Sequence, residues 1–116
     1  MSFIGGLDYA AAVIHETAVE KGFWDGEPSM DQMAAKIALI HSECTELLEA
    51  LRKNKGGRAI SGECADIIIR TLDLHTMLRE WHPEWGNSPM VPMAQAIDEK
   101  MKANAERPAK HGWVWG

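Results

Sequence analysis

The chain has 116 residues, 46% of them hydrophobic and 25% charged, enough for one domain with a modest core and too few for two. That balance argues against intrinsic disorder, and a net charge of −5 without a basic stripe gives a polymeric nucleic acid little to bind. No apolar run approaches bilayer length and the N-terminus shows no basic-then-apolar leader pattern, so no membrane partner is expected and the expected compartment is the cytoplasm.

Helical periodicity divides the chain into four segments, and the expected fold class is all-α, with residues 1–116 as a single domain. The first helix is expected from about Leu7 to Lys21, with Tyr9, Val13, Ile14 and Val19 among its apolar positions and Gly22 placed to stop it. A loop follows from Phe23 to Pro28. Ser29 and Gln32 have the spacing of a capping box, opening a second helix that runs to about Asn54 with Ile37, Ile40, Cys44, Leu47, Leu48 and Leu51 on one stripe. The short connection Lys55-Gly56-Gly57-Arg58 makes the next helix its antiparallel neighbour. Ser61 is the expected N-cap of that third helix, which ends near Trp81 before His82-Pro83 and carries a stripe of Cys64, Ile67, Ile68, Thr71, Leu74 and Leu78. Cys44 and Cys64 are expected as reduced core residues. After a proline-punctuated loop to Pro92, a fourth helix is expected from about Val91 to Glu106. Trp113 and Trp115 in the tail are costly to leave in water and are expected to pack, across a subunit boundary if need be. A chain this short gains by burying a face against a second copy, so a homodimer or a dimer of dimers is expected to complete the bundle.

Two acidic pairs stand out by their placement. Glu43 and Glu46 lie on the second helix, Glu63 and Asp66 on the third. At about 100° per residue, Glu43 and Glu63 sit roughly 80° and 70° from the centres of their helices' apolar stripes, with Glu46 and Asp66 further round. Packed antiparallel, the two shoulders converge. Two carboxylates about 5 Å apart repel by roughly 3 kcal/mol at an effective dielectric of 20, so such a cluster requires protons or a cation. Oxygen ligands without cysteine or histidine favour Mg²⁺, with Mn²⁺ as a substitute. Spacing alone does not make a site, since 17 acids in 116 residues produce about two i,i+3 pairs by chance and most such pairs are solvated.

The order Glu43-x2-Glu46, sixteen residues, Glu63-x2-Asp66 resembles the ExxE…ExxD signature of the all-α nucleoside-triphosphate pyrophosphatases, which include MazG, the dimeric dUTPases and the dCTPases. Ser42-Glu43 with Glu46-Leu47-Leu48-Glu49-Ala50-Leu51, and Glu63-Cys64-Ala65-Asp66-Ile67-Ile68-Ile69-Arg70, look like the MazG-like branch. So do Ala18-Val19-Glu20-Lys21-Gly22-Phe23-Trp24 and the ending Lys100-x3-Asn104-x2-Arg107-Pro108-x2-His111-Gly112. The resemblance covers roughly residues 9 to 112. It departs from the family in the long Trp81–Pro92 connection and in the tail after Gly112, which bear on the pocket and on helix four. It implies a four-helix MazG-like bundle and hydrolysis of a nucleoside triphosphate between its α- and β-phosphates. It further implies Mg²⁺ held by Glu43, Glu46, Glu63 and Asp66, with Glu46 and Glu43 as the catalytic carboxylates and Glu46 orienting or deprotonating the water.

Lys100, Asn104 and Arg107 share one face at the end of helix four. They suit phosphate and sugar contacts or, more plainly, a cationic helix end that answers the dipole; the resemblance favours substrate contact. Lys36 either reaches a phosphate or neutralises the acidic cluster, and Trp24 either stacks on a nucleobase or anchors its loop. Arg70 is expected to pair with Asp66 one turn away, and His111 to cap or to contact phosphate. The competing class is a catalytically silent helical dimer that binds a nucleotide or a protein. A ferritin-type di-iron bundle is excluded by the absence of Glu-x-x-His, and a P-loop enzyme by the absence of its glycine-lysine motif.

Overall fold

The structure, a computed structural model, describes residues 3–107. Pro108, the His111-Gly112 pair and both tail tryptophans lie outside the described residues. Four helices follow in order: α1 (Phe3–Glu20), α2 (Met30–Arg52), α3 (Gly57–Trp81) and α4 (Met93–Ala105). Two strands of two residues, β1 (Glu84–Trp85) and β2 (Ser88–Pro89), interrupt the connection from α3 to α4. The fold is all-α apart from this hairpin. Among the described residues no helix is long and apolar enough to cross a membrane.

Local chemistry accounts for most helix ends. α1 stops at Gly22, whose φ of +81° is open to glycine without a Cβ penalty. The Phe23 N–H bonds to Ala18 O and the Gly22 N–H to Val19 O, which is the paired hydrogen-bond pattern of a Schellman motif. α2 opens as expected, with Ser29 extended and its hydroxyl accepting from the Gln32 N–H at 3.1 Å. Gln32 does not complete the box. Its side chain donates instead to Asp25 O at 3.1 Å and ties the incoming loop to the helix. α2 closes on a second Schellman pattern with Asn54 at φ +49°.

Two boundaries differ from expectation. α3 begins at Gly57, four residues before Ser61, because the chain reverses at Gly56 and the Ile60 N–H already bonds to Gly56 O at 3.1 Å. Arg58, Ala59 and Ile60 sustain a helix readily, so Ser61 lies within it and is exposed. The Trp81–Pro92 connection is not a plain loop either. Gly86 and Asn87 both take positive φ, the requirement of a two-residue type I′ turn, and Trp85 pairs with Ser88. The hairpin carries Trp85 back onto Trp81 and His82 at ring-centroid distances of 5.8 and 5.1 Å.

The helices pack as an open layer. α3 is the central member, with α2 along one side and α1 along the other, and α4 rests chiefly on α1. The core is small: Ala18, Trp24, Met33 and Leu74 are buried together, with Ile40, Met77, Leu78 and Trp81 packed against them. Cys44 and Cys64 are exposed, not buried. The periodicity put each on its helix's apolar stripe, but nothing in the described chain covers that part of either stripe; Ile37, Leu48, Leu51 and Ile68 are exposed with them.

α4 has no cap of its own, because Pro92 precedes it and its first turn holds no acidic residue. Asp8 of α1 supplies the acceptor, taking the Ala94 N–H on Oδ1 at 3.2 Å. A carboxylate there satisfies an orphan donor and meets the positive end of the helix dipole. Replacing Asp8 with Ala is therefore expected to cost about 1 kcal/mol of unfolding free energy, with hydrogen exchange accelerated in α4 ahead of α2 and α3. Denaturant titration and exchange mass spectrometry of the two proteins check this, and uniform exchange in all helices would contradict it.

Candidate metal centre and the adjoining cavity

The carboxylates on α2 and α3 converge as their stripe positions require. Oxygen atoms of Glu43, Glu63 and Asp66 lie within 4.8 Å of one another. Glu43 is buried, Glu63 half-buried and Asp66 exposed, so the group runs from the helix seam outward to solvent. Glu46 stands outside the group of three but belongs to the same electrostatic cluster. Its carboxyl is pushed above the ordinary glutamate range, first by a hydrogen-bond contact with Glu43 and the Glu43 charge, then by slight desolvation and the charges of Glu63 and Asp66.

Two observations bear on whether a cation fits. Glu43 Oε2 and Glu63 Oε2 are buried, and no N–H or O–H donor among the described residues reaches either. A buried carboxylate oxygen without a donor is costly, and a divalent cation accepted by both oxygens removes that cost. The donor set is oxygen only, which suits Mg²⁺ or Mn²⁺. Glu43 Oε1 is already engaged, accepting from Arg70 Nε at 2.8 Å. Arg70 thus reaches across the seam to Glu43, and the expected one-turn pair with Asp66 is not what forms. The early start of α3 also moves Glu63 away from the helix N-terminus. It lies well inside the helix, not beside its N-cap, where the dipole's field has faded.

Beside the carboxylates opens a cavity of about 400 Å³. Val13, Ile14 and Ala18 of α1, Phe23 and Ile69 form its apolar wall, and Glu43, Asp66, Arg70 and Asp73 bring polar atoms to it. An apolar cleft with few converging polar groups is the usual form of a small-molecule site. Asp66, Arg70 and Asp73 share one face of α3 with Glu63, at offsets of three, seven and ten residues.

Asp73 anchors the cavity's far side. Its Oδ1 accepts from His15 Nδ1 at 2.7 Å and from Trp24 Nε1 at 2.9 Å, and its Oδ2 stands 3.1 Å from the same indole nitrogen. His15 Nε2 lies 3.2 Å from Glu80 Oε2. Neither Asp73 nor His15 was singled out from the sequence. His15 lies on the buried face of α1 with Ala11 and Ala18, and no local pattern signals a partner 58 residues away.

The remaining candidates lie as follows. Trp24 is buried, does not line the cavity and spends its N–H on Asp73, so the ring presented to a ligand is its neighbour Phe23. Lys36 donates to Phe23 O and sits 4.7 Å from the Trp24 ring centroid, which fastens the loop and takes the ammonium to the ring face. Lys100 and Arg107 are exposed and Asn104 is buried on α4; none of the three lines the cavity.

Compared with protein-family models, with curated proteins and with solved structures, the chain matches none.

The electrostatic origin of the cluster has a direct test. Without divalent cations, Glu46→Gln is expected to melt at a higher temperature than the wild type, because the amide removes a like charge beside Glu43 and can donate to it. Saturating Mg²⁺ is expected to raise the wild-type melting temperature more than that of the variant. Thermal melts in chelator and in millimolar Mg²⁺ read both effects; equal melting temperatures in chelator would mean that Glu46 feels no repulsion.

Proposed function

We propose that the protein is a Mg²⁺-dependent nucleoside-triphosphate pyrophosphohydrolase of the MazG-like type, releasing a nucleoside monophosphate and pyrophosphate. The observation that carries this reading is the Glu43–Glu63–Asp66 group, with buried oxygens that lack a donor, at the mouth of an apolar cavity of nucleoside size. The motif resemblance in the sequence points the same way.

Glu43, Glu63 and Asp66 would hold the metal. When bound, Mg²⁺ neutralises phosphate oxygens and acidifies the attacking water, which is most of what phosphoryl transfer asks of a protein. Glu46, beside Glu43 yet outside the group of three and open to water, would orient that water and take its proton. Arg70 is the one cation among the residues lining the cavity, and it screens the buried Glu43 charge while standing near the phosphates. Val13, Ile14, Phe23 and Ile69 would enclose the nucleoside and exclude water from it.

The protein acts, in this reading, as a homodimer or a dimer of dimers. Ile37, Cys44, Leu48 and Leu51 form one exposed line along α2, at offsets of seven, eleven and fourteen residues. An uncovered apolar line of that length is a common mark of a protein interface, and a second copy of α2 is self-complementary to it. Sedimentation of the wild type at micromolar concentration is expected to report a dimer or tetramer, and Leu48→Glu a monomer; a monomeric wild type would remove this part of the proposal.

For the reaction, the decisive measurement is release of pyrophosphate from a panel of nucleoside triphosphates with and without Mg²⁺. Release is expected only with the metal, as pyrophosphate and not as single phosphate. Loss of an outer partner to a metal site typically costs 10–100-fold, so Glu43→Ala, which removes a direct ligand, is expected to lose more than about 100-fold. Folded, metal-loaded protein that releases nothing from any nucleotide would leave a silent nucleotide- or protein-binding helical dimer as the better reading.

A further inference from the structure

Asp73 holds more hydrogen-bonding capacity than the fold uses. Its side chain is 14% exposed, and what it shows opens on the cavity it lines. Oδ1 accepts two donors, His15 Nδ1 and Trp24 Nε1, which fills its two lone pairs. Oδ2 receives only the longer share of the same indole hydrogen, at 3.1 Å. One lone pair of a nearly buried carboxylate therefore faces a cavity whose other polar groups are Thr17, Glu43, Asp66 and Arg70. The two donors also fix the carboxylate, since Trp24 is wedged in the core and His15 is buried.

From this geometry we infer that Asp73 reads the base of the nucleotide, selecting bases that carry an exocyclic amino group over their oxo counterparts. The inference rests on the pyrophosphohydrolase reading of the same cavity. Asp66 and Asp73 stand two helical turns apart on one face, about 10 Å along α3. With the triphosphate held at the Glu43–Asp66 end, that span takes a nucleoside 5′-phosphate and sets the edge of its base beside Asp73. An ionised carboxylate only accepts. An amino group donates to Oδ2 and satisfies both partners, whereas an oxo group in its place sets two acceptors against each other at a carboxylate that is only 14% exposed. Leaving such groups unpaired is expensive, and sites built to bond one donor reject analogues that lack it. Phe23, at the cavity wall, supplies an aromatic face for the same base.

Nucleotide pairs that exchange this amino group for an oxo group, the adjacent ring nitrogen changing from acceptor to N–H donor, supply the test: dCTP against dUTP, and dATP against dITP. The wild type with Mg²⁺ is expected to favour the amino member of each pair by about ten- to hundredfold in kcat/KM. Asp73→Asn keeps an oxygen for His15 and Trp24 but turns an NH₂ donor to the cavity, so the preference is expected to reverse toward dUTP and dITP. Far-UV circular dichroism and melting establish that the variant is folded. If it is not, a nuclear Overhauser contact in the wild type between the ¹⁵N-amino protons of bound dCMP and the Trp24 Nε1–H reads the same geometry. Cleavage of all four nucleotides with ratios near one, a ratio unchanged in folded Asp73→Asn, or no such contact would each overturn the assignment to Asp73 while the pyrophosphohydrolase reading stood. No cleavage of any nucleotide would instead remove that reading, and this inference with it.

Discussion

Antiparallel packing of α2 on α3 forces like charges together, and much of the site follows from how that repulsion is met. Glu43 and Glu63 cannot separate without breaking the helix seam that holds them, because each is a fixed step from the residues that pack there. At the 4.8 Å spanned by the group, the pair alone repels by about 3 kcal/mol at an effective dielectric of 20. The chain meets part of this with Arg70, which bonds Glu43 Oε1 from α3. The rest falls on the buried Oε2 atoms of Glu43 and Glu63, which no donor among the described residues reaches. A fold selected for stability alone would place an amide or an apolar residue at one of these positions. Keeping the acids means tolerating an electrostatic cost that a bound cation turns into attraction, which gives the metal reading its physical basis.

α3 organises the cavity as well as the cluster. As the central helix it packs against both α1 and α2, so a single polar face along it meets two neighbours in turn. At its N-terminal end Glu63 and Asp66 meet Glu43 of α2. Two turns later Asp73 meets His15 of α1 and Trp24 of the following loop. The same face therefore carries an anionic end and a rigid acceptor end, with Ile69 and the α1 side chains between them. The loop that closes the cavity is itself fixed from below, by Lys36 on the Phe23 carbonyl and by Gln32 on Asp25 O. This makes Phe23 part of a built wall, with the buried Trp24 beside it packed in the core.

What could be read from the sequence was whatever depends on near neighbours. The Gly22 stop and the Ser29 cap follow from spacing within a few turns, and of the four expected carboxylates Glu43, Glu63 and Asp66 come together while Glu46 stands outside. Features made by distant partners were not legible. The α4 cap comes from Asp8, 86 residues away, and no local pattern signals it. Arg70 had an acid one turn back, and the sequence offered no reason for it to prefer Glu43 across the seam, a choice made by burial, since Glu43 is the member most in need of a donor. Asp73 and Trp24 are 49 residues apart, so a tryptophan that reads equally well as a base-stacking platform turns out to be a carboxylate's hydrogen-bond donor. Cys44 and Cys64 were expected in the core, and both are exposed together with their stripe neighbours Ile37, Leu48, Leu51 and Ile68. Periodicity gives the direction in which a side chain points, but not whether anything lies there.

That exposed stripe and the acidic cluster are two sides of one arrangement. Among the described residues, Glu43 of α2 and Asp66 of α3 meet α1 side chains at the cavity, and Ile37, Cys44, Leu48 and Leu51 are exposed along α2. A protein working as a single copy gains by the opposite pattern, with the apolar line inside and the carboxylates outside. The inversion becomes favourable once the outer face of α2 is covered, as the proposed second copy would cover it. Burial between subunits then supplies the stability that the small Ala18–Trp24–Met33–Leu74 core cannot supply alone. It also leaves the junction free to hold carboxylates and a cavity in place of packed side chains. On this view assembly and site are coupled through α2, which turns Glu43 and Glu46 toward α3 and its apolar line toward a neighbour. A monomer produced by charging that line would lose stability before it lost any ligand of the metal.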